Sequence, residues 1–99
     1  MDDNTMLEAL KVDLGISTTA YDARLGQCLQ VAAGEITKEG ITLTDTIEDG
    51  NLQVMYAAWL WRKRLGSGNE MGNTETVSGM PRMLRWILNN RLFSEKIDG

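Results

Sequence analysis

Residues 52 to 65 read Leu-Gln-Val-Met-Tyr-Ala-Ala-Trp-Leu-Trp-Arg-Lys-Arg-Leu. The apolar residues recur at the three- and four-residue spacing of an α-helix, with no proline or glycine to interrupt it. On a helical wheel they form two faces, the first made of Leu52, Met55, Tyr56, Trp59 and Leu60, and the second of Val54, Ala58, Trp61 and Leu65. A helix that is apolar on two sides either lies at the centre of a core or shares one side with a neighbouring subunit. We therefore predict a helix over about residues 48–65 that decides the fold.

The amino-terminal segment contains a start signal and a stop signal for a helix. Thr5 and Glu8 have the spacing of a capping box, in which a hydroxyl and a carboxylate satisfy free backbone amides. Gly15 is placed to end the helix in a left-handed conformation. We predict a first helix over about residues 5–14.

A second helix is predicted over about residues 19–39, between a start signal at Thr19 and a stop at Gly40. Its inner stripe contains Tyr21, Leu25, Leu29, Ala32, Ala33 and Ile36. Its opposite side consists of small or uncharged residues, namely Ala23, Gly26, Gln27, Gln30, Gly34 and Thr37. That side either admits the close approach of another helix or reflects relaxed selection at a surface.

The last helix is predicted over about residues 81–94. It follows a glycine-rich flexible loop over residues 66–79 and begins at Pro81, a residue favoured in a first helical turn. One face carries Met83, Leu84, Ile87 and Leu88. Trp86 and Phe93 fall on the other side beside Arg82 and Asn89, which is the composition of a binding hot spot. The alternative is that Trp86 packs beneath the preceding loop.

The charges divide the chain into an acidic half and a basic half, within a net charge of −4. Residues 1–50 carry ten acids against three bases, and residues 51–99 carry seven bases against four acids. This division suits head-to-tail contacts between copies or one surface facing a polyanion, and it equally suits two solvated faces.

The composition argues against catalysis. Histidine, the commonest general base and metal ligand, is absent, and Cys28 is the single cysteine. Cys28 borders an apolar helical stripe, which favours a buried, inert thiol over a nucleophile. Neither a phosphate-binding loop nor a calcium loop occurs in the sequence. We predict one all-α, four-helix compact domain over residues 1–99 that is not an enzyme, binds no cofactor or metal, contains no membrane span and resides in a reducing cytoplasm.

Basic residues are the remaining candidates for ligand contact. Arg62, Lys63 and Arg64 lie at the end of the predicted third helix. Arg82, Arg85 and Arg91 are spread along the predicted last helix. Cations at a helix end also complement its dipole, which explains the first cluster without a ligand. The alternative is non-specific contact with the phosphates of duplex DNA.

Three blocks of the chain, in order, resemble the small head–tail connector proteins of tailed phages. Residues 7–22, Leu-Glu-Ala-Leu-Lys-Val-Asp-Leu-Gly-Ile-Ser-Thr-Thr-Ala-Tyr-Asp, resemble their opening. Residues 54–64, Val-Met-Tyr-Ala-Ala-Trp-Leu-Trp-Arg-Lys-Arg, are similar to their central helix. Residues 80–93, Met-Pro-Arg-Met-Leu-Arg-Trp-Ile-Leu-Asn-Asn-Arg-Leu-Phe, are similar to their carboxy-terminal helix.

The resemblance implies a structural subunit of a phage or prophage virion, assembled in the cytoplasm of the bacterial host. Such proteins form a homo-oligomeric ring of about a dozen copies beneath the portal protein. The ring joins the head to the tail-completion proteins around the DNA channel. The family has also been linked to DNA packaging. The alternative function, favoured by Arg82, Arg85 and Asn89 of the last helix, is a small helical nucleic-acid-binding or packaging accessory protein.

The candidate contact residues follow from the exposed aromatic side chains, the two-faced third helix and the basic clusters. Candidates for a subunit or partner interface are Val54, Trp61, Leu65, Arg82, Trp86, Asn89 and Phe93. Candidates for the DNA channel or for salt bridges are Arg62, Lys63, Arg64 and Arg85.

Overall fold

The computed structural model describes residues 1–69 and 80–98, with the side chains of residues 1–63 and 80–96. Across this part of the chain the secondary structure is four helices with no strand. They are α1 (Asp3–Leu14), α2 (Asp22–Lys38), α3 (Ile47–Asn69) and α4 (Arg82–Asp98). The prediction of an all-α, four-helix fold is confirmed.

Helix α3 is the centre of the fold, because α1, α2 and α4 all pack against it. The largest fully buried side chains come from every helix and from the α2–α3 connection, and they are Leu10, Leu25, Ile36, Ile41, Leu52, Leu84 and Leu88. Both apolar faces of α3 are covered within one chain over much of their length. Val54 on the second face is only 6% exposed and belongs to the core, so its prediction as an interface residue is corrected.

Helix α1 begins two residues earlier than the capping-box pattern indicates. The Asp2 carboxylate accepts a hydrogen bond of 2.7 Å from the Thr5 backbone N–H, and the chain is helical from Asp3. Asp2 therefore already satisfies the amide that Glu8 was expected to serve. The predicted stop is confirmed, since Gly15 adopts φ 72° and its N–H donates to the Val12 carbonyl.

Helix α2 begins at Asp22, three residues after its predicted start. Thr19 accepts a hydrogen bond from the Asp22 backbone N–H, so residues 19–22 form a turn that leads into the helix. Tyr21 precedes the helix and is 48% exposed, which removes it from the predicted inner stripe. An ion pair of 3.0 Å between Lys11 Nζ and Asp22 Oδ1 joins the end of α1 to the start of α2.

The glycine after α2 serves both a turn and a close approach. Gly40 has φ 107°, a conformation that L side chains rarely adopt. A β-carbon there would also lie 3.2 Å from Leu92 Cδ1 of α4. The predicted stop at Gly40 therefore also lies against α4.

The last two helices are longer than predicted. The backbone of α3 continues through Asn69, four residues beyond the predicted end. The prediction of a flexible loop over residues 66–79 is therefore wrong for residues 66–69, which belong to α3, and residues 70–79 lie outside the described residues. Helix α4 starts immediately after Pro81, whose carbonyl accepts from the Arg85 N–H, and it extends to Asp98.

Candidate interaction surface

The outward side of α4 carries large apolar side chains in contact with solvent. Trp86 and Phe93 are each 63% exposed and Met83 is 60% exposed. Arg82 and Asn89 on the same helix are also exposed. We call these five residues the α4 outer face. The exposed Trp86 and Phe93 agree with their predicted position opposite Leu84 and Leu88.

Met83 was predicted on the inner face, and this prediction is wrong. At 100° per residue it lies about 120° around the helix from the midpoint between Leu84 and Leu88. Both leucines are 1% exposed, so that midpoint faces the core. Met83 consequently falls outside the buried stripe and adds apolar area to the α4 outer face.

An ion cluster fixes α4 on the body of the protein, and we call it the Arg91 cluster. Arg91 donates from Nε to Asp49 Oδ1 at 2.9 Å and from Nη2 to Asp49 Oδ2 at 3.2 Å. It also donates to the Thr42 carbonyl at 2.7 Å and to Glu95 Oε1 at 2.9 Å. The Asp49 side chain is 3% exposed and accepts two further bonds from the N–H and hydroxyl of Thr44. A fork of this kind sets both the position and the rotation of α4.

The Arg91 cluster shifts the acid–base equilibria of its members. Burial raises the pKa of Asp49, but the hydrogen bonds from Arg91 and Thr44 outweigh it and hold the pKa below the ordinary value. The hydrogen bond with Asp49 raises the pKa of Arg91. The backbone N–H of Thr42 and the guanidinium of Arg91 lower the pKa of Glu95. Each shift favours the charged form, so the cluster is ionised at neutral pH.

These shifts predict a loss of stability in acid. The folded-state pKa of Asp49 is depressed, so its contribution is present above the ordinary value of 3.8 and is lost as the pH falls through the folded-state pKa. We expect Asp49→Asn to be less stable than the wild type at neutral pH and the difference to shrink below pH 3.8. Urea unfolding of both proteins across pH measures this difference. A gap that is independent of pH would contradict the prediction.

A second apolar surface lies where α1 ends and α2 begins. An open cleft of about 350 Å³ is lined by Leu14, Ile16, Tyr21, Trp61 and Arg62. The Tyr21 and Trp61 rings meet edge to face with centroids 6.0 Å apart. Trp61 therefore lines a different cleft from the one bordered by Arg82, Met83 and Trp86. The two predicted interface tryptophans belong to separate surfaces.

The predicted channel cations contact groups of their own chain. Arg62 Nη2 donates to the Asp13 carbonyl at 3.1 Å, and Lys63 Nζ lies 4.9 Å from the centre of the Trp59 ring. Arg85 pairs with Glu39 at 3.8 Å. The side chains of Arg64 and Leu65, also candidates, lie outside the described residues. The DNA-contact role of these cations stays a prediction.

A third depression lies between α1 and α2, and only some of its lining residues were predicted from the sequence. It has a volume of about 330 Å³, and we call it the α1–α2 groove, lined by Asp3, Asn4, Leu7, Gly26, Leu29 and Gln30. The uncharged side of α2 predicted the Gly26 and Gln30 half. The α1 half was missed because the pairing of the two helices is a tertiary property.

The described residues include the single cysteine and most of the acidic side chains. Among them, no cluster of three or more histidine, cysteine, aspartate or glutamate side chains is arranged to hold a metal ion. Cys28 is buried as predicted, and its Sγ–H donates to the Ala57 carbonyl at 3.3 Å. In the same part of the chain, no helix has the length and apolarity needed to cross a membrane. The exposed surfaces described above combine apolar side chains with neighbouring charged groups.

No protein-family model, no curated protein and no solved structure matches the chain.

Proposed function

We propose that this protein is a structural subunit that binds other copies of itself and forms a head–tail connector ring of a tailed phage or prophage. The observation that carries the proposal is the α4 outer face, where Trp86 and Phe93 expose most of their surface. Exposed aromatic side chains grouped beside an arginine are typical of sites that bind a protein partner. Their burial in an interface would remove this apolar area from water.

The anchoring of α4 supports a role for its outer face in recognition. Leu84 and Leu88 hold the inner side in the core, and the Arg91 cluster fixes the rotation of the helix. A face held in this way loses little conformational freedom when it binds. The outer face is therefore arranged for docking before any partner arrives.

The charge distribution favours a contact between unlike surfaces of two copies. Residues 1–50 are mainly acidic and residues 51–99 mainly basic, and attraction between these unlike halves of neighbouring chains would orient the chains head to tail. A head-to-tail interface yields a ring when its rotation closes. In the proposed virion the ring has about a dozen copies and meets the portal protein on one side and tail-completion proteins on the other, around duplex DNA.

Sedimentation velocity of the purified protein over a wide concentration range, with and without portal-containing heads, tests the proposal. We expect closed oligomers in solution or on the heads, and weaker assembly for Trp86→Ala and Phe93→Ala. Val31→Ala is the matched control, since Val31 is also exposed but lies on α2. A wild-type protein that stays monomeric and does not bind heads would contradict the proposal.

The second candidate is a small nucleic-acid-binding or packaging accessory protein. It is favoured by the exposure of Arg82, Arg85 and Asn89 along one side of α4, a pattern that suits a helix in a DNA groove. The net charge of −4 and the ion pair between Arg85 and Glu39 weigh against it. Tight binding of duplex DNA by the monomer, falling steeply with salt, would place this function first.

A further inference from the structure

The α1–α2 groove has an apolar floor and an acidic end. Leu7 and Leu29 are the apolar side chains that line it, and Asp3 brings an exposed carboxylate. Asp3 and Leu7 are four residues apart on α1, so they lie on the same side of the helix, one turn apart. The groove thus presents a negative charge and an apolar surface in a defined order along α1.

Gly26 keeps the groove open on the α2 side. A β-carbon at this position would meet no atom within 4 Å outside the backbone of its own helix. No packing contact within the described part of the chain therefore requires a glycine here, although glycine is among the poorest helix formers. The absence of a side chain leaves room above Leu7 and Leu29 for a group from outside.

The α4 outer face carries the complementary order of groups. Arg82 and Trp86 are also four residues apart, so a positive charge lies one turn before a large apolar ring. No carboxylate lies within salt-bridge distance of Arg82 among the residues with described side chains, and Trp86 is 63% exposed. The spacing of charge and apolar group on α4 thus matches the spacing on α1 when the two helices run parallel.

We propose that the α1–α2 groove binds α4 of a second copy of this chain, with the Trp86 ring over Gly26 and the Arg82 guanidinium paired with Asp3. The inference rests on the proposed self-assembly and names the two surfaces that meet. The contact is head to tail, since each copy uses the groove for one neighbour and α4 for the other. Charge complementarity sets the direction of α4 in the groove.

The substitution Gly26→Leu tests the groove without removing any contact of the monomer. The leucine side chain fills the groove, and leucine is a better helix former than glycine, so the monomer is expected to be at least as stable as the wild type. Gly34→Leu is the matched control, because a β-carbon at Gly34 of the same helix also meets no atom within 4 Å and Gly34 does not line the groove. We expect Gly26→Leu to weaken self-association at least about tenfold and Gly34→Leu to leave it unchanged.

A mixing experiment distinguishes this contact from any other. Gly26→Leu keeps an intact α4 face and Trp86→Ala keeps an intact groove, so each protein alone is expected to be monomeric by sedimentation velocity. An equimolar mixture is expected to form heterodimers and nothing larger, because only one complementary pair of surfaces remains. The double exchange Asp3→Arg with Arg82→Asp in one chain is expected to restore the association that either change alone weakens.

The outcomes separate this inference from the proposed function. If the wild type associates and Gly26→Leu associates equally well, the groove is not the site, while self-assembly stands. Equal losses in Gly26→Leu and Gly34→Leu would overturn the groove as well and point to another α2 surface. A wild type that stays monomeric at millimolar concentration overturns the inference, and its failure to bind heads would remove the proposed function too.

Discussion

Replacing Arg91 with methionine is expected to lower the free energy of unfolding by about 3 kcal/mol. The substitution removes both hydrogen bonds to the Asp49 carboxylate and leaves that charge 3% exposed with no cation beside it. Breaking one side of a buried ion pair costs about 3–5 kcal/mol, and the partial exposure of the Arg91 side chain places the expected loss at the lower end. Urea unfolding at neutral pH measures it.

Arg85→Met is the control for this prediction. Arg85 is also on α4 and pairs with Glu39, but the distance is 3.8 Å and the two side chains are 45% and 33% exposed. Pairs of this kind contribute less than about 1 kcal/mol. If the Arg91 variant lost no more stability than the Arg85 variant, the Arg91 cluster would not be the anchor of α4.

The double variant Asp49→Asn with Arg91→Met gives a second check. Once the carboxylate is neutral, the loss of the guanidinium no longer leaves a buried charge, so the double variant is expected to lose less than the sum of the two single variants. Hydrogen exchange adds a local measurement. In Arg91→Met the amides of α4 are expected to exchange faster than those of α2, because α4 has lost its anchor.

The sequence predicted most of the inner residues of the helices, with Met83 and Tyr21 as exceptions, because helical spacing is a local property. Leu84 and Leu88 are one turn apart and are buried together, which leaves Trp86 and Phe93 on the outside. Helix ends were less predictable, because several polar residues compete for the same amide. Asp2 serves the Thr5 N–H, although the spacing of Thr5 and Glu8 matched a known motif.

Properties that depend on how the helices pack could not be predicted from the sequence. Arg91 lies 42 residues from Asp49, and nothing local indicates which acid of the first half it meets. Val54 has the same apolar character as a subunit contact, and only the packing of three helices around α3 shows that it is covered. The α1–α2 groove is likewise a product of packing, because its two sides come from separate stretches of the chain.

Trp59→Ala and Trp86→Ala form a pair whose difference separates the structural aromatic from the docking aromatic. Trp59 is half-buried against the core, meets the Tyr56 ring edge to face at 5.4 Å and lies beneath Lys63. Its removal is expected to cost about 3 kcal/mol of unfolding free energy, the lower end for a core tryptophan because part of the ring contacts solvent. Trp86 is 63% exposed, and its removal is expected to cost less than about 0.5 kcal/mol.

The two variants are expected to differ in self-association at concentrations where both are folded. Trp86→Ala should then fail to associate although its thermal midpoint equals that of the wild type, whereas Trp59→Ala should associate once enough of it is folded. Thermal unfolding by circular dichroism on dilute samples, in which the wild type is monomeric, and sedimentation velocity on concentrated samples supply the two readouts. A stability loss at Trp86 as large as that at Trp59 would mean that the ring packs against its own chain. The α4 outer face would then lose the exposed aromatic on which the docking argument depends.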